Sequence, residues 1–191
     1  QPANTYERDG FQETLLTMYS HTGTHMDPPA HLFAGRTTLD QFPVEQFIGR
    51  ALVIHCPELR EGERVPFSAV ERVRPLADQA EFLLFHTGWG RYWGTERYFG
   101  DYPCIDQGIV DYLLQSGKRA WAWIPSGWTP LLTLPEYPPA SVPGSRLVVM
   151  ENLANLDQIG DGLFTLFALP LRYQDADGSP IRAVAVLDGE E

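Results

Sequence analysis

Three of the five histidines in this chain fall within eleven residues, and two adjacent prolines separate the second from the third. The segment reads His21-Thr22-Gly23-Thr24-His25-Met26-Asp27-Pro28-Pro29-Ala30-His31. It limits the local fold more tightly than any other stretch. Imidazole and carboxylate are ligands favoured by zinc, manganese and iron(II). If His21 and His25 are to share one ion, an extended backbone is excluded, because it would hold them ~13 Å apart at ~3.3 Å per residue. One helical turn brings them to ~6 Å on a common face, and Gly23 permits the sharp path required. The expectation is therefore a helical turn over residues 21–25. Pro28 and Pro29 forbid its continuation and impose extended geometry, so Asp27 can return to the same ion while His31 projects beyond it. A structural zinc site would want four protein ligands, often cysteines. No cysteine is near in sequence. Two histidines and an aspartate leave positions open for water and substrate, as a catalytic ion requires.

The rest of the chain bounds the partners. Its 191 residues fit a single domain, 1–191. With 14 basic against 25 acidic residues the net charge is −11, which argues against nucleic acid and against an anionic membrane surface. No apolar run reaches the ~18–20 residues that cross a bilayer. Cys56 and Cys104 form neither a CxxC pair nor a disulfide framework, so a reducing, cytoplasmic setting is expected. The chain opens on Gln1 rather than Met, and some natural N-terminal residues are expected to precede it.

Short apolar runs predict strands at Thr14–Ser20, Ala51–His55, Glu81–His86, Ala120–Ile124, Leu147–Met150, Leu163–Leu169 and Ile181–Leu187. Helices are predicted at Pro66–Val73, with proline at its start, and at Asp106–Ser116, with Asp106 as N-cap and Gly117 as the stop. Seven strands against two or three helices make a β-rich α/β domain. The segments 21–50 and 87–105 read as long loops, the kind that carry function.

Residues 21–31 match the pattern His-x-Gly-Thr-His-x-Asp-x-Pro-x-His at every specified position. Two further blocks accompany it: Leu84-Phe85-His86-Thr87-Gly88-Trp89 with its aromatic sequel, and Glu151-Asn152-Leu153-Ala154-Asn155-Leu156-Asp157. Together they resemble the cyclase family of metal-dependent hydrolases, which includes bacterial kynurenine formamidase and isatin hydrolase. The resemblance runs over nearly the whole chain. It implies an α/β fold with a mixed, barrel-like β core and a few flanking helices, and a homodimer or larger assembly. It also implies one or two divalent ions, zinc or manganese, held by His21, His25 and Asp27. Glu151 takes the place of a metal ligand or site carboxylate, and His31 that of a general acid/base or a ligand to a second ion. The reaction implied is hydrolysis of a small amide or lactam C–N bond.

The chain departs from that family at two places. Relatives carry a histidine about a dozen residues before the C-terminal Glu, whereas 138–144 reads Pro-Pro-Ala-Ser-Val-Pro-Gly. Relatives also carry a Gly-x-Asp-x-x-Ser-x-Asp-Pro pattern where Ile124, Gly127 and Thr129 now replace Asp, Ser and Asp. A single-metal hydrolase is one consequence; a non-catalytic metal- or ligand-binding member is the alternative. Trp89, Tyr92, Trp93 and Tyr98 are dense enough to line a pocket for a flat substrate, or to serve as core or dimer surface. Trp121, Trp123 and Trp128 suggest a remodelled pocket or a partner surface. His86 reads either as a substrate contact or as a rim histidine, and His55 as structural. Asn155 and Asp157 read as braces for the loop around Glu151. Arg36, five residues past His31, reads either as a contact for a substrate carboxylate or as surface, and Cys104, with no base beside it in sequence, is not a nucleophile.

Overall fold

A computed structural model describes residues 1–123 and 147–188. The strands are β1 (Pro2–Asn4), β2 (Glu13–Thr14), β3 (His25–Asp27), β4 (Ile48–His55), β5 (Arg64–Val65) and β6 (Phe82–His86). They continue with β7 (Cys104–Ile105), β8 (Ala120–Trp123), β9 (Val148–Glu151), β10 (Phe164–Phe167), β11 (Ser179–Pro180) and β12 (Val184–Leu187). The helices are α1 (Tyr6–Asp9), α2 (Ser68–Glu71), α3 (Arg74–Gln79) and α4 (Gln107–Gln115).

Eight strands form one mixed sheet in the order β11-β3-β9-β8-β6-β4-β10-β12. Its centre, β4, β6, β8 and β9, is parallel. Parallel strands are covered on both faces and so are apolar almost throughout; Phe82, Leu83, Leu84 and Phe85 of β6 are all buried. The flanking strands β3, β10, β11 and β12 are antiparallel to their neighbours. Among the described residues the sheet is open, ending at β11 and β12, and no closed barrel forms. Core and layer class agree with the expected mixed α/β fold.

Three local devices fix the helices beside the sheet. Asp106 caps α4, accepting from Ile109 N at 2.9 Å, and its other oxygen accepts from Phe67 N at 2.8 Å. Gly117, at φ +65°, then ends the helix in left-handed geometry. The buried Lys118 ammonium donates to the Ala77 and Ala80 carbonyls at 2.6 Å each, satisfying groups at the end of α3.

Several predicted bounds shift. The segment Thr14–Ser20 is not a strand beyond Thr14: Leu15 still bonds Gln1 through both backbone groups, but Leu15, Leu16, Met18 and Tyr19 stand exposed rather than packed. The helix predicted over Pro66–Val73 is the shorter α2 followed by a separate α3, because Val73 leaves helical geometry at φ −118°, ψ 19°. Strands β8, β9, β10 and β12 lie within a residue or a few of their predicted runs. Ile124, Gly127, Trp128, Thr129 and the 138–144 stretch lie outside the described residues.

The arrangement sets the functional end. Strands β4, β6 and β9 finish at His55, His86 and Glu151, and the carboxyl ends of parallel strands are where open α/β sheets hold ligands. The central strand should dominate stability. Phe82→Ala, at a fully buried site, is expected to cost about 3–5 kcal/mol in urea unfolding. Phe99→Ala, 71% exposed, should change it by about 0.5 kcal/mol or less.

Candidate metal centre

A three-residue strand does what a helical turn was expected to do. In β3 the side chains alternate, so His25 and Asp27 share one face while Met26 enters the core with no exposure. Strand β3 pairs antiparallel with β9, with His25 opposite Glu151 and Asp27 opposite Val149. Residues directly opposite share a face, so Glu151 joins His25 and Asp27. The chain reverses before β3 at Gly23, whose φ of +63° requires glycine-like freedom, and this returns His21 to the same cluster. Pro28 ends the strand, and Pro29 starts the 3-10 turn Pro29–His31 that carries His31 back. The expected helix over 21–25 is thus replaced by a glycine turn and a strand.

The resulting cluster is tight. Asp27 Oδ1 lies 2.6 Å from His21 Nδ1 and 3.4 Å from His25 Nε2, and Glu151 Oε2 lies 3.6 Å from His25 Nε2. The His21 and His31 rings stack at 3.8 Å between centroids, tilted by 40°. Two ligand sets converge with donor atoms within 4.8 Å of one another: His25, Asp27 and Glu151, all buried, and His21, Asp27 and His31. The expected triad of His21, His25 and Asp27 is divided between them, and Asp27 belongs to both. Asp27 Oδ2 is buried and has no hydrogen-bond partner. An unsatisfied buried carboxylate oxygen is costly, and beside imidazole nitrogens and a second carboxylate it fits a divalent cation.

Further contacts aim the ligands. His25 Nδ1 donates to the Gly23 carbonyl at 2.8 Å. A carbonyl only accepts, so the proton is on Nδ1 and the Nε2 lone pair is directed to the carboxylates. The same carbonyl accepts from Asn152 Nδ2 at 3.0 Å, and the Tyr98 hydroxyl donates to Asn152 Oδ1. Thr24 Oγ1 donates to the Asn152 carbonyl at 2.7 Å, and Asn152 itself sits at φ +59°, which asparagine tolerates. On the other side Asp177 Oδ2 lies 3.4 Å from His21 Nε2. Gly178 packs under the imidazole so closely that a Cβ there would overlap the ring. Burial pushes the His21 pKa down, but the Asp27 and Asp177 carboxylates outweigh it, and the net shift is upward. For His31 burial and then the neighbouring His21 push the pKa down, which keeps its imidazole neutral near pH 7.

The aromatic residues divide. Trp89 lies wholly in the core, its indole N–H donating to Tyr98 O at 3.2 Å. Tyr92 packs edge-on to Trp89 at 4.8 Å. Trp93, Tyr98 and His86 line a cavity of about 670 Å³ beside the 152–157 loop. Asp157 lines it too, and Arg36 is exposed. Asn152, Asp177 and Gly178 are not singled out as site residues from sequence, whereas Tyr98, read there as a candidate pocket aromatic, does line the cavity. Asn152 directly follows Glu151, which was a usable hint; Asp177 is joined to His21 only by folding.

Comparison with known proteins gives the family and the fold. The family model described as "Putative cyclase" matches residues 2–123. The chain is 31% identical over 175 residues to the kynurenine formamidase of Bacillus cereus, covering 88% of this chain and 77% of that protein. An isatin hydrolase bound to the product analogue thioisatinate superposes with a TM-score of 0.82 at 20% identity, over 98% of this chain and 80% of that one. Isatin hydrolase A from Labrenzia aggregata, bound to benzyl benzoate, gives 0.81 at 21% identity, over 97% and 81%. The fold and site define a metal-dependent hydrolase scaffold, and the chain belongs to the cyclase family.

Replacing Asn152 by Gly keeps the positive φ but removes the second donor to the Gly23 carbonyl. Zinc or manganese affinity by titration calorimetry is expected to fall about 10–100-fold. An unchanged affinity would show that this donor does not orient His25.

Proposed function

We propose that this chain is a divalent-metal-dependent hydrolase of a small amide or lactam C–N bond. The observation that carries it is the buried cluster in which Asp27, with an unsatisfied oxygen, is common to two convergent ligand sets. The kynurenine formamidase and isatin hydrolase relatives support the choice of C–N bond. Such an enzyme is of the amidohydrolase type. Zinc and manganese both suit the His and carboxylate donors, with one or two ions per chain.

Bound there, a divalent ion supplies an acidified water and polarises the substrate carbonyl. The protein's own groups do the rest. His25, Asp27 and Glu151 fix the position of the ion from adjacent strands. His31, half-buried and neutral near pH 7, accepts the proton from the attacking water and returns it to the leaving nitrogen. His21, against Asp27 and stacked on His31, fixes the plane in which that ring works. Trp93 and His86 are placed to meet a flat substrate at the neighbouring cavity, whereas Trp89 and Tyr92 support that wall from behind.

Two further features belong to this reading. The first nineteen residues leave Tyr6, Phe11, Leu15, Leu16, Met18 and Tyr19 exposed, an apolar arm suited to a second copy of the chain and so to a homodimer. Among the described residues no helix is long and apolar enough to cross a membrane. Cys56 and Cys104 are buried and unpaired, in keeping with a cytoplasmic enzyme.

The test is turnover of N-formylkynurenine, isatin and a panel of small amides. Hydrolysis of at least one should vanish on chelation and return with zinc or manganese. Bound metal without turnover of any would leave a binding protein instead. The downward shift of His31 also fixes a sign. Its neutral form is lost on acidification, so the acid limb of kcat/KM should fall with an apparent pKa below the ordinary histidine value of ~6.5. A limb above that value would assign the proton transfer to another group.

A further inference from the structure

Strand β12 ends the main sheet, and among the described residues its outer edge pairs with no other strand. Bonds nearby give the direction of its backbone groups. Ala168 N donates to Phe47 O at 3.0 Å, so Ala168, and by alternation Leu166 and Phe164, bond towards β4. Thr165 and Phe167 then bond towards β12, where their register partners are Val186 and Val184. Ile181 N donates to Thr24 O at 2.9 Å, away from β10 and in the same phase. The N–H and C=O groups of Ala183, Ala185 and Leu187 therefore point out of the sheet, and no described residue bonds them.

Natural sheet edges are blunted by charge, by proline or by a bulge. Residues 183–187 read Ala-Val-Ala-Val-Leu, with neither charge nor proline, and the β10–β12 register runs without a break. Ala183 and Ala185 pack inward on the core. Val184, Val186 and Leu187 are exposed. The Pro170–Ile181 bridge sets Leu169 beside Arg182, and Leu169 is exposed too. A regular apolar strand edge with open hydrogen-bonding groups calls for another strand.

The charges at its ends select which strand. Arg182 stands three residues before Ala185 and Asp188 three residues after it. In an antiparallel pair related by a two-fold axis at Ala185, Ala183 bonds the partner's Leu187 and Ala185 bonds the partner's Ala185, so every edge-facing group is matched. Val184 then lies opposite the partner's Val186, and Arg182 opposite the partner's Asp188, in the pairs whose side chains come closer. Moving the axis to Val184 or Val186 sets Arg182 or Asp188 against a valine. Arg182 is exposed and makes no ion pair among the described residues. The Asp188 carboxylate accepts from Arg50 at 3.1 and 2.8 Å and has lone pairs left for a second guanidinium.

We propose that the free edge of β12 is an interface between two copies of this chain, in which β12 pairs antiparallel with itself about Ala185 and the sheet runs on from one copy into the other. The surface is separate from the N-terminal arm, so the two contacts together would build a tetramer from two-fold dimers. It depends neither on a bound metal nor on the hydrolase reading.

The experiment is sedimentation equilibrium of the full chain, as wild type, Ala185→Pro and Arg182→Asp. The Ala185 N–H faces away from β10, so proline there removes no bond within the sheet but blocks the added strand. Ala185→Pro should halve the mass of the assembled species, from tetramer to dimer if the arm also joins copies and from dimer to monomer if it does not. Arg182→Asp sets two carboxylates opposite each other and should weaken association about tenfold or more. Register is read by mild oxidation. Opposed residues of the closer pairs have Cα atoms ~4.5 Å apart, within disulfide range. Val184→Cys mixed with Val186→Cys should therefore give a disulfide-linked dimer, and neither variant alone should; the native Cys56 and Cys104 are buried. If Ala185→Pro does not fold, Arg182→Asp and the two cysteine variants, all at exposed side chains, decide the matter. A monomeric wild type, a mass unmoved by both Ala185→Pro and Arg182→Asp, or either cysteine variant linking to itself in preference to the other would each overturn the proposal.

Discussion

Two carboxylates, Asp27 and Glu151, are buried with His25 between them, their ligand atoms within 4.8 Å of each other. At that separation two negative charges repel by roughly 3–4 kcal/mol even at an effective dielectric of about 20. His21 lies against Asp27 Oδ1 at 2.6 Å, but Asp27 Oδ2 remains buried without a hydrogen-bond partner. A divalent cation joining the two carboxylates would relieve both the repulsion and that unmet oxygen. Much of the surrounding structure follows from holding that arrangement: the glycine turn, the proline stop, and the contacts behind each ligand.

The sheet supplies the rigidity. Strand β3 is too short to stand alone, but it is inserted between β9 and β11 and so inherits the position of the parallel core. Glu151 is the last residue of β9, and the backbone turns directly after it through Asn152 in left-handed geometry. That single turn places Asn152 where it can reach the Gly23 carbonyl, and through it His25. One loop thereby sets both a ligand and the tautomer of its neighbour. On the far side, Gly178 leaves room for the His21 imidazole that any side chain would take.

The candidate ligands were legible because chemistry dictates residue type and spacing in one short segment. His21, His25, Asp27 and His31 could be named from spacing, and Glu151 from resemblance. The backbone that joins them was not. Geometry for a shared ion is satisfied either by a helical turn or by i, i+2 alternation on a strand, and only pairing with β9 selects the strand. The division of the ligands into two sets has the same origin, since Glu151 is 120 positions or more from the others in sequence. The apolar strands of the parallel core were readable because burial on both faces leaves a continuous hydrophobic run. Thr14–Ser20 has such a run but pairs only at its start, with β1, and the rest lies exposed, so composition alone misled. Trp89 and Trp93 are four residues apart and look equivalent in sequence, yet a 3-10 turn sends one into the core and the other to the cavity.

The central claim is that a cation occupies the space between His25, Asp27 and Glu151. Anomalous diffraction from crystals grown with zinc or manganese tests it most directly. The account predicts a strong peak within bonding distance of His25 Nε2, an Asp27 oxygen and a Glu151 oxygen. No peak there, with the metal present and the two carboxylates still side by side, would contradict it.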